Sequence, residues 1–461
     1  MYIKMVTSKS IVTRTYVVIV LGLLSTIFSK TLHADQTLFA NDSLAIKFST
    51  KVAFAALTTS DTNFGNGRVD FFSGVNTGDA TWQEAYIKPS LSFEWEQNKN
   101  STIYGALSVV GAGTFGDGDA GGFTGSESDV DLEYINAGWR GEVFDISFGA
   151  QDYIIGDGFL VMDGNFDAAQ DGAFWALPRT AFRNSAIARF NTSPVHGEIF
   201  YLKADNIQND TELVGINLEH TNQSYGTFGV SYLNMIDADR LTSHIPATSR
   251  HGMQVVSVRA NSAKIPSWSN FIWHAEYVTQ FGGAKGGGTG DFEGEAWYVE
   301  GNYSFSNIAW TPKLTYRFAH FSGDDGTDSD QDSFDPLFYS YNPARNGGWG
   351  SWFQGEIVGN YLLFNSNQEN HMVKLDVYPA PKWSAGLLYF SFALDEKNYF
   401  GIPVTEDDFA DEINFYVDWR PIENMYTAVA GGIAFPGDAA KQIFGNNENY
   451  TFFEFYMVYT F

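Results

Sequence analysis

The sequence contains no cysteine, so disulfides and thiol chemistry drop out of every explanation that follows. Bases are scarce too: 27 Lys and Arg stand against 54 Asp and Glu, a formal net charge of −27. Such a balance argues against nucleic acid as a partner, since that would require a basic stripe. The eight histidines are scattered, with no H-E-x-x-H and no close pair at metal-ligand spacing. There is no G-x-S-x-G, and GGAKGGGTG (282–290) lacks the phosphate-loop order. No catalytic residue, no cofactor and no dedicated metal site is therefore expected. Long apolar runs are missing as well. The longest, YVVIVLGLLSTIF, covers only residues 16–28, and a membrane helix needs about 20.

That run has its own reading. Lys4, Lys9 and Arg14 precede it and SKTLHADQ follows, the layout of a secretory signal peptide with cleavage after Ala34. The expected division is a signal peptide over 1–34 and one barrel domain over 35–461. With Lys4, Lys9, Arg14 and Lys30 gone, 27 bases fall to 23 while all 54 acids stay.

What the sequence has in plenty is aromatic residues, 16%, and glycine, 46 residues. They are arranged with a period of two. The chain closes on FFEFYMVYTF (452–461), where Phe453, Phe455, Met457, Tyr459 and Phe461 share one face. In QEAYIKPSLSFEWE (83–96), Ala85, Ile87, Pro89, Leu91, Phe93 and Trp95 oppose Glu84, Tyr86, Lys88, Ser90, Ser92, Glu94 and Glu96. In INFYVDWR (413–420), Ile413, Phe415, Val417 and Trp419 oppose Asn414, Tyr416, Asp418 and Arg420. A strand with one apolar and one charged face separates two solvents. Charged faces would be costly inside a soluble sandwich, but they suit a watery lumen with lipid outside.

Connection lengths alternate too. Short breaks at 97–100, Gly141, 192–194, 221–224, 262–267 and 306–309 alternate with long Gly/Asp-rich stretches near 58–80, 114–128, 152–181, 237–251, 282–292 and 323–349. Short periplasmic turns and long external loops produce this rhythm. Residues 350–365 look strand-like, but counting them gives nineteen strands and puts the 396–410 loop in the periplasm. Assigning them to the external loop, folded toward the pore, gives eighteen, with PAPK (379–382) and PIEN (421–424) as periplasmic turns. The expected fold is thus all-β: a transmembrane antiparallel barrel of eighteen strands in the outer membrane of a Gram-negative bacterium. Its lipid, including lipopolysaccharide, becomes a partner. The barrel-assembly machinery becomes another, reading terminal Phe461. Acidic runs at 117–119, 127–133, 322–335 and 405–412 read as solvated external loops, bridged by divalent ions to anionic headgroups.

Strand phase puts Lys47, Lys51, Lys88, Arg140, Arg183, Arg189, Arg259, Arg317, Lys374 and Arg420 on the lumen side. Glu84, Glu219, Glu276, Glu300, Asp376, Asp418 and Glu454 share it. Two readings stay open: cross-strand ion pairs in a generic polar lumen, or a row of bases that attracts carboxylates bidentately while the acids keep a ligand from sticking.

Several segments resemble the alginate-export family of outer-membrane channels, from about residue 82 onward. They are QEAYI (83–87), FGAQDYIIGDG (148–158), PRTAFRNSAIARF (178–190), FDPLFY (334–339) and VKLDVYPAPKWSAGLLYFSFAL (373–394). The resemblance implies an eighteen-stranded barrel with an Arg-rich pore passing anionic polysaccharide. Arg179, Arg183 and Arg189 match the family's Arg-bearing segment, and Gly149, Gln151, Gly156 and Gly158 its glycine-rich stretch. Where the family usually has Arg, this chain has Ala150. The expected function is a channel for anionic saccharides or polysaccharide, not an enzyme. The alternatives are a small-solute uptake porin and a surface structural or adhesion barrel with acidic loops.

Overall fold

The computed structural model describes residues 36–69, 76–77, 79–117, 128–165, 172–173, 175–239, 249–286, 288–340 and 354–461. The signal-peptide segment 1–34 lies outside the described residues, as does the first part of 350–365.

Eighteen antiparallel strands form one closed barrel. They are β1 (Leu44–Ser60), β2 (Ala80–Asn98), β3 (Ser101–Gly116), β4 (Ser128–Gly141), β5 (Phe144–Ala150) and β6 (Asn184–Thr192). Next come β7 (Val195–Lys203), β8 (Glu212–Asn222), β9 (Gly226–Asp237), β10 (Gln254–Lys264), β11 (Phe271–Gly283) and β12 (Glu295–Ser304). The last six are β13 (Lys313–Phe321), β14 (Gln368–Ala380), β15 (Trp383–Ala393), β16 (Asp408–Trp419), β17 (Met425–Pro436) and β18 (Tyr450–Thr460). Each pairs with its neighbour in sequence, and β18 returns to β1 with Ser60 opposite Thr451 and Lys51 opposite Thr460. Phe461 completes the seam, its N–H donating to the Thr50 carbonyl at 2.9 Å and its carbonyl accepting from the Thr50 N–H. Closure removes the free edge that an aromatic strand would otherwise expose to aggregation. A short N-terminal strand, Gln36–Ala40, lies beside residues 45–48 of β1, beyond the point where β18 has ended.

The period of two is borne out. Along β2, Ile87, Leu91, Phe93 and Trp95 are exposed while Glu84, Tyr86 and Lys88 are buried. Along β16, Ile413, Phe415, Val417 and Trp419 are exposed while Asn414, Tyr416 and Asp418 are buried. β18 buries Phe452, Glu454, Tyr456 and Val458 and turns Phe453 outward. Placing bases inward avoids the ~2–4 kcal/mol that a Lys or Arg costs at mid-bilayer on the lipid face.

The inner face is buried because long loops fold back into the barrel. Residues 153–161 pack with Phe334, Leu337 and Phe338 against inner side chains of β6 through β13, and Val161 and Phe338 make a β-bridge. A second assembly forms where 350–365 was expected to turn inward. Gly355–Leu362 makes a π-helical segment, buried with Trp82, Phe390, Phe392, Phe409 and Phe452. Trp175 wedges between Tyr361 and Phe452, ring centroids 4.2 and 4.9 Å away.

Two sequence assignments need correction. The acidic runs 127–133 and 405–412 are not wholly loop: β4 starts at Ser128 and β16 at Asp408. Strand pairing carries the ladder past the expected loop boundary; Glu133 and Glu412 at these ends are buried, while Asp411 faces out and accepts from the Tyr389 hydroxyl at 2.9 Å.

Candidate functional site: the charged lumen

The main feature is a β-bulge. β3 and β4 run in register to Ser108 opposite Tyr134 and then skip to Val109 opposite Leu132. Glu133 is the extra residue, and a bulge re-aims such a side chain. Its fully buried carboxylate becomes the hub for the end of the loop that follows β5. It accepts from Lys88 Nζ at 3.1 Å, Arg183 at 3.0 Å, and the backbone N–H groups of Thr180 and Ala181 at 2.9 and 3.2 Å. Arg179 Nε lies 3.9 Å away. Lys88 also donates to the Pro178 carbonyl at 3.0 Å and stands over the Tyr134 ring. Arg179 reaches Asp131 at 2.9 Å and Asp205 at 3.4 Å. Arg183 directs further donors at the Leu132 and Ala181 carbonyls.

Lys88, Arg179 and Arg183 are thus brought together, but by a carboxylate that the sequence reading missed. Its signal was present in ESDVDLE, four acids at the start of a strand, and only the bulge decides that the last one points inward. Arg183 is largely committed to holding the loop.

A second group lies toward the periplasmic strand ends. Arg189 donates to Glu198 at 3.0 Å and lies 3.7 Å from Asp145. Arg140 bridges Asp145 at 3.3 Å and Glu94 at 3.6 Å, over the Tyr104 ring. The Arg140 side chain stays 50% exposed and that of Arg189 23%. Lys47 is half-buried and Lys51 exposed, both on the lumenal phase of β1. Arg420 follows β16 directly and stacks over Tyr426 at 5.0 Å.

The other predicted bases are individually enclosed. Arg259 donates to Glu219 at 2.6 Å and to Ser231 at 2.7 Å, with Gly156 of the inward loop against its side chain. Arg317 reaches Gln354 of the other inward loop at 2.8 Å and lies 3.7 Å from Glu300. Lys374 and Lys313 flank Asp376 at 3.3 and 3.1 Å. Glu84 accepts from the indole of Trp82 at 3.1 Å and from the N–H of Ala176 at 2.8 Å. Of the two readings left open by strand phase, cross-strand ion pairing describes most of the lumen.

One wall gathers buried carboxylates. Glu412 accepts from the N–H groups of Ile357 and Val358 at 3.1 and 2.8 Å, anchoring the π-helical segment. Gly355 adopts φ +86°, and a Cβ there would meet this carboxylate at 2.7 Å. Glu356 is buried on the same segment, with no partner for Oε1. Burial pushes its carboxyl well above the usual range, and the neighbouring carboxylates Glu454 and Glu412 push it further.

This lumen carries fixed charges along a passage, which is the chemistry of selective permeation. The alginate export family model matches residues 130–454. Among curated proteins, none matches the sequence. The fold is similar to solved Pseudomonas aeruginosa structures. OccK5 (OpdH) superposes with TM-score 0.53 at 10% identity, over 90% of this chain and 97% of that one. OccK2 (OpdF) gives 0.53 at 11% identity, over 90% and 97%. OpdK with vanillate gives 0.51 at 11% identity, over 90% and 98%. At such identities the likeness is one of fold.

Proposed function

Because this chain belongs to the alginate export family and is a channel of the Gram-negative outer membrane, we propose that it passes anionic saccharide. The observation carrying this reading is the placement of the open bases. Short turns mark the periplasmic end. On that side Lys51 and Arg140 stay exposed and Arg189 partly so, where an exported chain would enter. Each guanidinium already shares its carboxylate partner, so a solute carboxylate can exchange into the pair and slide to the next. The route leads up to Lys88, Arg179 and Arg183, where the inward loops narrow the lumen. Bases line this passage and acids prevent trapping, so no catalytic group is called for.

A second reading, uptake of small carboxylates, is favoured by the amount of lumen that the two loop assemblies fill, and by the vanillate in the solved OpdK structure. Planar-bilayer recordings separate the two. A channel blocked by oligouronates from the periplasmic side, and not by neutral oligosaccharides, supports saccharide passage. Replacing Arg140 and Arg189 with Ala should weaken that block about tenfold; an unchanged block rejects them as contacts. Block by aromatic monocarboxylates alone would favour uptake. Barrel assembly through the terminal Phe461 and contact with lipopolysaccharide belong to the same proposal.

A further inference from the structure

The outer surface carries a cluster of a different kind at the external rim. β13 runs outward from the 305–312 turn, and its phase buries Thr315, Arg317, Ala319 and Phe321. His320 therefore faces away from the lumen. Directly across the ladder from it lies Glu369, the second residue of β14. Asp395, just past the end of β15, reaches back over the pair. His320 Nδ1 is 3.4 Å from a Glu369 oxygen and 3.5 Å from Asp395 Oδ1, and one ligand atom from each of the three lies within 4.8 Å of the others. On the far side of the ring, Nε2 is 3.8 Å from Glu295 on β12.

We propose that His320, Glu369 and Asp395 form a binding site for a divalent transition ion of the zinc class. Ligand atoms about 2.0–2.1 Å from a tetrahedral ion sit roughly 3.4 Å apart, the separation that the two imidazole–carboxylate edges already have. The remaining contacts are those of an outer shell. Glu295 lies 3.8 Å from Nε2, the place of an outer carboxylate that would take the Nε2 hydrogen when Nδ1 ligates. Asp395 Oδ2 accepts from the Gly323 N–H at 2.8 Å, leaving Oδ1 for the ion. Glu295 is itself held by the Tyr277 hydroxyl at 3.0 Å, and the Trp297 ring stands 5.9 Å from the imidazole. Among the described residues no Lys or Arg pairs with these three carboxylates, so one imidazole faces three negative charges. An imidazole in the set selects a borderline ion over calcium or magnesium, which prefer all-oxygen sites. The ion would tie β13, β14 and the loop after β15 together at the headgroup level, leaving a coordination position open to water or a phosphate oxygen.

The test uses the full-length barrel, purified in detergent and freed of metal, titrated with Zn2+ in excess Ca2+ to occupy the Asp-rich loops. One Zn2+ per chain is expected. His320→Ala should abolish it, Glu369→Gln and Asp395→Asn should weaken it at least tenfold, and Glu295→Gln by about ten- to a hundredfold. Co2+ should give the visible bands of a four-coordinate N/O site in the wild type and not in His320→Ala. Heat-modifiable migration on gels reports folding; if His320→Ala fails it, the half-exposed Glu369→Gln decides. Unchanged stoichiometry and affinity in the folded variants would overturn the site, as would displacement of Zn2+ by an equal concentration of Ca2+.

Discussion

Glu133→Gln removes one charge from the lumen and should release a whole loop. The carboxylate holds three cations and two backbone N–H groups at once. Arg179 would keep Asp131 and Asp205, and Arg183 would keep Asp205 at 3.4 Å. Lys88 would keep only the Pro178 carbonyl and the Tyr134 hydroxyl, both neutral, while its side chain is 8% exposed. Stranding a buried charge in this way costs about 3–5 kcal/mol. The amide adds a mismatch: an NH2 in place of Oε2 would face Arg183, and one in place of Oε1 would face Lys88, donor to donor.

The barrel ladder does not depend on that side chain, so the cost falls on docking of residues 178–183. At roughly 1.4 kcal/mol per tenfold, the loop's docked population should fall a hundredfold or more relative to its released form. Single-channel recordings should then show new fluctuations between current levels. Trypsin should cut at Arg179 and Arg183 while heat-modifiable migration is preserved. Lys88→Met in the same chain should reverse much of this, because a buried pair exchanged together for uncharged groups is close to neutral. Quiet currents and an uncut loop in Glu133→Gln would refute the hub.

Three further outcomes are expected. The Glu356 carboxyl is raised by burial and by Glu454 and Glu412, so the stability it lends to docking of Gly355–Leu362 is fully present below the unfolded value near 4.3 and is lost as pH rises through the folded pKa. Conductance should accordingly rise from pH 5 to pH 8, and rise less in Glu356→Gln. Gly149→Ala puts a side chain at φ +109° with its Cβ 2.1 Å from the Ile135 carbonyl oxygen. Backbone strain of about 1–3 kcal/mol plus that clash should lower the temperature of heat modification. Phe461→Ser keeps both backbone bonds to Thr50 but should reduce the amount recovered in the outer membrane; undiminished recovery would remove Phe461 as an assembly signal.

The fold was legible because lipid and water impose opposite demands on alternate residues, so phase could be read from Ile413, Phe415, Val417 and Trp419 without any structure. The glycine-rich match was legible for a related reason. Gly149, Gly156 and Gly158 all take positive φ, and Gln151 pairs with Phe182 across the loop's two ends and donates to Ser185 at 2.7 Å. Residues 354–363 gave no such signal, since an apolar strand and an apolar inward helix turn have similar composition.

Charge pairing was the least legible level. Phase says that Arg259 and Glu219 face the same lumen; it does not say that β9 brings Ser231 between them and β8 adds Asn217. A two-residue period also fails at a bulge, where one inserted residue reverses the phase and Glu133 leaves its expected acidic run to become the centre of the site. His320, Glu369 and Asp395 show the same limit on the outer face: β13, β14 and β15 are consecutive, but only their register puts His320 opposite Glu369. In this architecture each residue's own side of the sheet is a local property, and the residue it meets there is set by the register between neighbouring strands. Substitutions that shift register at the β3–β4 bulge, such as deleting Glu133, should therefore disrupt permeation more than neutralising any single lumenal base.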